Sequence, residues 1–443
     1  MKTSRIRYIL LIFIVVAIIF FAGSYQLPKY TSRLMALAGL AIVDMLYWFP
    51  VRKTFGIWSK KILSILYWAP MCLLLMFFIA GIIIPYSEWM PFLRIYFPGI
   101  LMILLIGKGI LLLILISCDI LLLPWNIIQG NLKKKKSKVF GWYRLRFVIL
   151  IGTALASVVI LVFISGMFFW VRDYKLNTVE IPVKDLPGAF EGYKVIQLSD
   201  IHLGSFLTTE PLKNIIKIVN EQHPDLILFT GDLVNFTTSE ALPFEFEMKR
   251  FSAKDGIFSI LGNHDYGDYS QWDTQEAKSL NDKALFGFYK RIGWQLLRNQ
   301  NAIFTRDSTS IALIGVENWS ISKRFGKKGD LKKAVSGTEG TLFKILMSHD
   351  PSHWDGEVNI KYPQIGLTLS GHTHAFQLAV ESGSVKWSPA SLLFKEWAGL
   401  YVKTHENGET QYLYVNRGAG TLGYPGRILA RPEITLFILR RSN

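Results

Sequence analysis

Residues 195–204 read VIQLSDIHLG: the short apolar run Val195–Leu198 passes directly into Asp200-Ile201-His202. The same grammar returns along the rest of the chain. Leu226–Phe229 leads to Gly231-Asp232, Ile257–Leu261 to Gly262-Asn263-His264-Asp265, Ile345–Met347 to Ser348-His349-Asp350, and Ile365–Leu369 to Gly371-His372-Thr373-His374. Runs of this length bounded by turn residues are strand-like, and α/β folds place ligands beyond the carboxyl ends of their strands. The pattern predicts carboxylate, amide and imidazole groups converging on the carboxyl edge of one buried sheet. Singly each motif is ordinary, since a Gly-Asp after a strand is usually a turn. Together and in order they predict one metal site, and five of the eight histidines fall inside them.

Between these runs the chain alternates strand and helix patterns, which predicts α/β layering. After the Asp200 strand, Leu212, Ile215, Ile216 and Val219 share one helical stripe, with Thr209 as N-cap and Pro211 in the first turn. Two polar inserts, Tyr266–Lys290 and Asn318–Gly340, interrupt the alternation. The second carries Lys323, Arg324, Lys327, Lys328, Lys332 and Lys333 and is expected to be a mobile, solvent-facing loop.

Mixed oxygen and imidazole donors suit Mn, Fe, Zn or Mg and exclude a thiolate site. Two divalent ions sharing a bridging carboxylate, with a hydroxide between them, can hold both the attacking and leaving oxygens of an in-line displacement at phosphorus. No Ser or Cys nucleophile is then required.

The order D-x-H, G-D, G-N-H-D, H, G-H-x-H resembles the calcineurin-like metallophosphoesterase superfamily over roughly residues 190–375. SDIHLG (199–204), FTGDLV (229–234), LGNHDYG (261–267) and the tail 416–436 are similar to its membrane-associated bacterial branch. The resemblance implies a four-layer α/β-β/α sandwich. It also implies that Asp200, His202, Asp232 and His374 hold the first metal, and that Asp232, Asn263, His349 and His372 hold the second. His264 would protonate the leaving oxygen, with Asp265 orienting it. Many relatives follow G-H-x-H with two glycines where this chain has Ala375-Phe376, a bulkier pair expected to narrow or re-line the space beside His374. Arg427, in the glycine-bearing tail, is the candidate phosphate clamp, ahead of Arg417.

Residues 1–171 carry a different composition. Their 18 Lys and Arg against three acidic residues leave +15 of the formal +16, while residues 172–443, with 31 basic and 30 acidic residues, are nearly neutral. The charge therefore does not point to nucleic acid as a partner. Apolar stretches at 8–23, 34–50, 62–85, 98–124 and 148–170 approach the ~20 residues that cross a bilayer. Basic clusters before the first, between the second and third, and between the fourth and fifth put the N-terminus in the cytoplasm and residues 172–443 outside. The expectation is a multi-pass protein of the inner or cell membrane, with the first span alternatively a cleaved signal peptide. Cys72 and Cys118 lie inside apolar stretches, so the outer domain is expected to hold together without disulfides. Lys108 can snorkel or pair with Asp44.

The expected activity is hydrolysis of a phosphodiester or pyrophosphate, in a lipid or cell-envelope substrate. The resemblance includes enzymes acting on UDP-2,3-diacylglucosamine, although the outward orientation argues against a nucleotide-linked precursor. The rival expectations are an extracytoplasmic phosphomonoesterase and a non-catalytic sensor or transport unit whose outer domain only binds ligand.

Overall fold

The computed structural model describes residues 30–53, 57–132, 138–184, 186–383, 385–406 and 408–442. The expected span 8–23 lies outside them. Four long helices come first: α1 (Thr31–Lys53), α2 (Ile57–Ile83), α3 (Pro91–Leu132) and α4 (Lys138–Phe168). Among the described residues, Lys61–Ile83, Pro91–Leu121 and Phe147–Arg172 are long and apolar enough to cross a membrane. A helix satisfies its own backbone in lipid, which makes it the spanning element such sequences adopt. The expected span 34–50 is helical within α1 but does not join those three.

The chain forms two compact units. One gathers the residues up to Ile84 with Ile100–Leu161; the other gathers Pro85–Gly99 with Val162–Asn443. In the first, Lys108 Nζ lies 2.5 Å from Asp44 Oδ2 and 2.8 Å from the Tyr67 carbonyl oxygen, so these two opposite charges compensate one another.

The second unit contains two six-stranded sheets. The strands are β1 (Lys175–Lys184), β2 (Lys194–Leu198), β3 (Leu226–Phe229), β4 (Ile257–Ser259), β5 (Gln295–Leu296), β6 (Gln300–Arg306), β7 (Thr309–Gly315), β8 (Phe343–Met347), β9 (Leu367–Ser370), β10 (Val380–Ser382), β11 (Val385–Trp387), β12 (Gly399–Thr404), β13 (Thr410–Val415) and β14 (Glu433–Ser442). The first sheet runs β1-β14-β2-β3-β4-β5 and the second β12-β13-β9-β8-β7-β6, with β10-β11 a separate hairpin. Strands β2 to β5 are mutually parallel, as are β7, β8, β9 and β13.

One apolar cluster joins the facing surfaces of both sheets through Val195, Leu228 and Phe437 on one side and Leu313, Met347 and Leu369 on the other. A second cluster packs helices α5 (Glu210–Asn220) and α6 (Gln275–Ile292) on the outer face of the first sheet, and a third covers the outer face of the second. The result is the four-layer sandwich. The stripe Leu212, Ile215, Ile216 and Val219 is buried, and Thr209 is the N-cap, though its side chain makes no capping bond. The strand ends bearing the motifs come from two sheets rather than one. Asp200, Asp232 and Asn263 follow β2, β3 and β4; His349 and His372 follow β8 and β9.

Candidate metal centre

Each motif leaves its strand through a sharp turn. Asp200 (φ 52°), His202 (φ 48°), Asp232 (φ 60°), His372 (φ 70°) and His374 (φ 51°) all take left-handed backbone, a conformation that costs a non-glycine residue ~1–2 kcal/mol. Strain of this kind concentrates where side chains must be aimed. Glycines make the turns possible. Gly231 has φ 97°, and a Cβ there would meet the Gly262 backbone of the neighbouring turn. Gly418 has φ 76°, and a Cβ would stand 2.7 Å from the Asp200 Cβ and 3.2 Å from His374 Nδ1.

The turns bring two groups of donors together: Asp200 with His202 and His374, and Asp232 with His349 and His372, each set of ligand atoms lying within 4.8 Å of one another. His202 Nε2 faces His374 Nε2 at 3.1 Å, and His349 Nε2 faces His372 Nδ1 at 3.3 Å. Asp232 Oδ2 lies 3.2 Å from His349 Nε2 and 3.6 Å from His202 Nε2, so its carboxylate stands between the groups.

The donor set fits divalent cations. His349 Nδ1 is bonded to the Thr230 carbonyl oxygen at 2.8 Å and His202 Nδ1 to that of Val234 at 3.2 Å. A ring N–H donated to a carbonyl leaves the other nitrogen as a lone-pair donor directed at the centre. Asn263 donates from Nδ2 to the Tyr269 hydroxyl at 2.8 Å, while its Oδ1 is buried without a partner. A buried amide oxygen is left so only where something else satisfies it.

Electrostatics point the same way. Burial opposes ionisation of Asp232, but His349 and His264 outweigh it and hold the carboxyl well below its usual range. Burial pushes the His202 ring down to about 3, so it stays neutral and able to ligate. The His349 ring, disfavoured by burial but attracted by Asp232, is raised to about 10; a cation would displace that proton.

The calcineurin-like phosphoesterase family profile matches residues 193–376. The uncharacterized metallophosphoesterase YkuE of Bacillus subtilis (strain 168) is 32% identical over 286 residues, covering 63% of this chain and 90% of that protein. The chain belongs to the calcineurin-like metallophosphoesterases.

It is therefore a phosphoester hydrolase. The Danio rerio transmembrane protein with metallophosphoesterase domain is 30% identical over 311 residues, or 68% of this chain, which spans 64% of that longer protein. The UDP-2,3-diacylglucosamine pyrophosphatase LpxG of Chlamydia trachomatis serovar D is 28% identical over 302 residues, covering 57% of this chain and 86% of that protein.

Three expectations about this metallophosphoesterase require correction. Asp265 does not orient His264. Its carboxylate accepts the backbone N–H groups of Asp232 (2.9 Å), Leu233 (2.8 Å), Val234 (3.3 Å) and Gly262 (2.9 Å), pinning the turn that carries Asp232. His264 Nδ1 is held instead by the Asn235 carbonyl oxygen at 2.8 Å. Arg427 is fully buried, with its guanidinium donating to the carbonyl oxygens of Arg417, Gly418, Gly420 and Ala430; it organises the glycine turn and has nothing to offer a phosphate. Arg417 is paired with Glu433 and Glu381. The Asn318–Gly340 insert is not merely solvent-facing, because Phe325 sets its edge on the His372 ring at 4.6 Å and Trp319 and Leu331 are buried.

The pair Ala375-Phe376 continues the left-handed backbone (φ 49° and 46°), a conformation that glycine adopts without steric cost. Ala375 is buried in a cluster with Ala379, Ala390 and Trp397, whereas Phe376 is exposed beside Phe394, whose ring lies 5.4 Å from that of His372. Phe376 thus adds an aromatic ring to the rim beside Phe394.

Sequence reasoning missed Tyr269, which lies in the first polar insert and carries no motif. Its ring lies 4.2 Å from that of His264 and its hydroxyl receives the Asn263 amide. A Tyr269→Phe protein frees that amide to rotate away from the centre. It should lose about tenfold in kcat/KM, the lower end for partners that orient metal ligands, with thermal stability nearly unchanged. Steady-state kinetics beside a melting curve check this, and an unaltered kcat/KM refutes it.

Proposed function

We propose that this membrane-associated metallophosphoesterase hydrolyses a phosphodiester or pyrophosphate in an amphiphilic, bilayer-resident substrate on the outer side of the membrane. The observation that carries the reading is the make-up of the second compact unit. The unit holding both donor groups also contains Pro85–Gly99 and Val162–Arg172, the ends of two helices apolar enough to cross a bilayer. The aromatic rim of Phe325, Phe376 and Phe394, with Leu392 and Leu393 exposed nearby in sequence, supports an apolar moiety beside the phosphorus. LpxG, by its name, acts on a diacylated pyrophosphate, which supports the same class. The basic clusters of residues 1–171 support the outward orientation.

In this reading Asp200, His202, Asp232 and His374 hold one divalent cation, and Asp232, Asn263, His349 and His372 hold the other. Bound there, the pair supplies Lewis acidity at the phosphoryl oxygen and depresses the pKa of water. The protein's own groups do the rest. Asp265 fixes the Asp232 turn. His264 donates its Nδ1–H to the Asn235 carbonyl oxygen. Burial disfavours its charged form and Asp232 nearby counters that; as the imidazolium it has a second N–H, at Nε2, to deliver to the departing oxygen.

The test uses the full chain in nanodiscs with added Mn. Turnover of a diacylated pyrophosphate in the same bilayer should exceed that of a soluble bis-ester, and the bis-ester should exceed its mono-ester. A preference for the soluble mono-ester would overturn the proposal in favour of a phosphomonoesterase. Absence of metal-dependent turnover would favour a ligand-binding role.

A further inference from the structure

The Pro85–Gly99 segment reaches the chemistry through one buried ion pair. Arg94 stands in the first turn of α3, inside the candidate span Pro91–Leu121, yet it belongs to the compact unit of the two sheets. Its Nη1 lies 3.1 Å from Glu240 Oε1, with the two side chains only 10% and 2% exposed. Nη1 also donates to the Ser87 carbonyl oxygen at 2.9 Å, and the guanidinium carbon lies 5.9 Å from the Phe236 ring centroid. Nothing about a helix end in a bilayer requires an arginine buried against a glutamate.

Glu240 transmits the contact. Its Oε2 accepts the backbone N–H groups of Asn235 at 2.6 Å and Phe236 at 3.1 Å. The carbonyl oxygen of that same Asn235 receives His264 Nδ1 at 2.8 Å. The carboxylate also fills the place where a Cβ on Gly204 would sit, in the turn directly after His202. Three further facts hold Asn235 to this arrangement: its Nδ2 donates to Ser205 Oγ, Ser205 Oγ donates to the Thr421 carbonyl oxygen, and Tyr86 packs on Phe236 with ring centroids 5.3 Å apart. Burial raises the Glu240 carboxyl above its usual range, and Arg94 is the first of the groups that oppose that rise. A buried carboxylate deprived of its cation leaves an uncompensated charge or takes up a proton, and either loosens the two N–H bonds it accepts.

We infer that Arg94 is a positioning residue for the hydrolytic reaction: through Glu240 and the Asn235 carbonyl it fixes the His264 ring, so that the end of a membrane helix is a working part of the active centre. The inference rests on the reading of His264 as the group that meets the leaving oxygen.

The experiment takes the full chain in nanodiscs, reconstituted with Mn, and follows hydrolysis of a bis-ester with a poor, alkoxide-type leaving group. Arg94→Ala should lower kcat about tenfold, at the low end of the effect of partners that orient a ligand or catalytic group, with KM and the metal content per chain unchanged. Arg94→Lys, which keeps the cation, should recover part of the loss. The double variant Arg94→Met/Glu240→Gln removes both charges, leaves an amide oxygen to accept the two N–H groups, and should keep most of the activity. It separates lost positioning from a failure to fold. Arg94→Ala added to His264→Ala should cost nothing more than His264→Ala alone, because residues acting through one group are not additive. Wild-type kcat in Arg94→Ala alongside an impaired His264→Ala sinks the inference alone. A full tenfold loss persisting in the His264→Ala background also sinks it, by showing that Arg94 acts elsewhere. Wild-type kcat in His264→Ala would instead sink the reading of His264 on which it stands.

Discussion

An Asp232→Asn protein should stay folded and lose activity by on the order of 10³-fold or more in kcat/KM, since a carboxylate shared by two cations supports several kcal/mol of transition-state stabilisation. The side chain stands between both donor groups, 3.2 Å from His349 Nε2 and 3.6 Å from His202 Nε2. Its other oxygen accepts the His264 backbone N–H at 2.9 Å. Asparagine preserves that acceptor and the shape, so the turn survives. It places an NH₂ where lone pairs must converge, and it removes the one negative charge both groups share. Elemental analysis of the purified protein should show fewer than two metals per chain, and circular dichroism should match the wild type. Full activity with an intact fold would show that Asp232 does not bridge, and the assignment of the centre would fail with it.

The two donor groups were legible because their members come just after apolar strands, and strand-to-turn punctuation is a local signal. The division into two sheets was not. Gln295–Leu296 and Gln300–Arg306 sit on opposite sheets although only three residues separate them, and no local pattern records where a chain changes sheet. The roles of Asp265 and Arg427 were misread for a related reason. Both side chains bind main-chain groups, Asp265 four N–H donors and Arg427 four carbonyl oxygens. Residue type alone tells a reader that a charge wants a partner, not that the partner is backbone. The Arg94–Glu240 contact was invisible for want of any sequence proximity, and Asp350 was seen in its motif without its place 3.7 Å from His372 Nε2.

The left-handed turns give the centre a particular economy. Asp200, His202, Asp232, His372 and His374 each hold strained backbone, and Ala375, Phe376 and Gln377 extend the run. Such conformations persist only where the surroundings over-determine them. Here the surroundings are the bonds from Asp265 to the Asp232 turn, from the Gly420 N–H to the Asp200 carbonyl oxygen, and from Gln377 Nε2 to the carbonyl oxygens of Tyr424 and Gly426. The last two residues also meet the α4 end, since the Tyr424 hydroxyl donates to the Phe163 carbonyl oxygen. Helix ends thus brace the strained turns at a second place besides Glu240.

His264→Ala should lower kcat by about 10²–10³-fold, within the range of a positioned proton donor, while leaving two metals per chain. The ring is not part of either donor group. Its Nδ1 is committed to the Asn235 carbonyl oxygen, and its face lies 4.2 Å from that of Tyr269, so only Nε2 is left for chemistry. A group that donates a proton to the departing oxygen matters in proportion to how badly that oxygen needs one. The loss should therefore be largest for alkoxide-type leaving groups and shrink to a few-fold for p-nitrophenolate, which departs unprotonated. A ring that only shaped the site, or that merely attracted the phosphate, would depress both substrates alike. Equal losses across the leaving-group series would strip His264 of the proton and leave it a binding role, and a drop in metal content would make it a ligand after all.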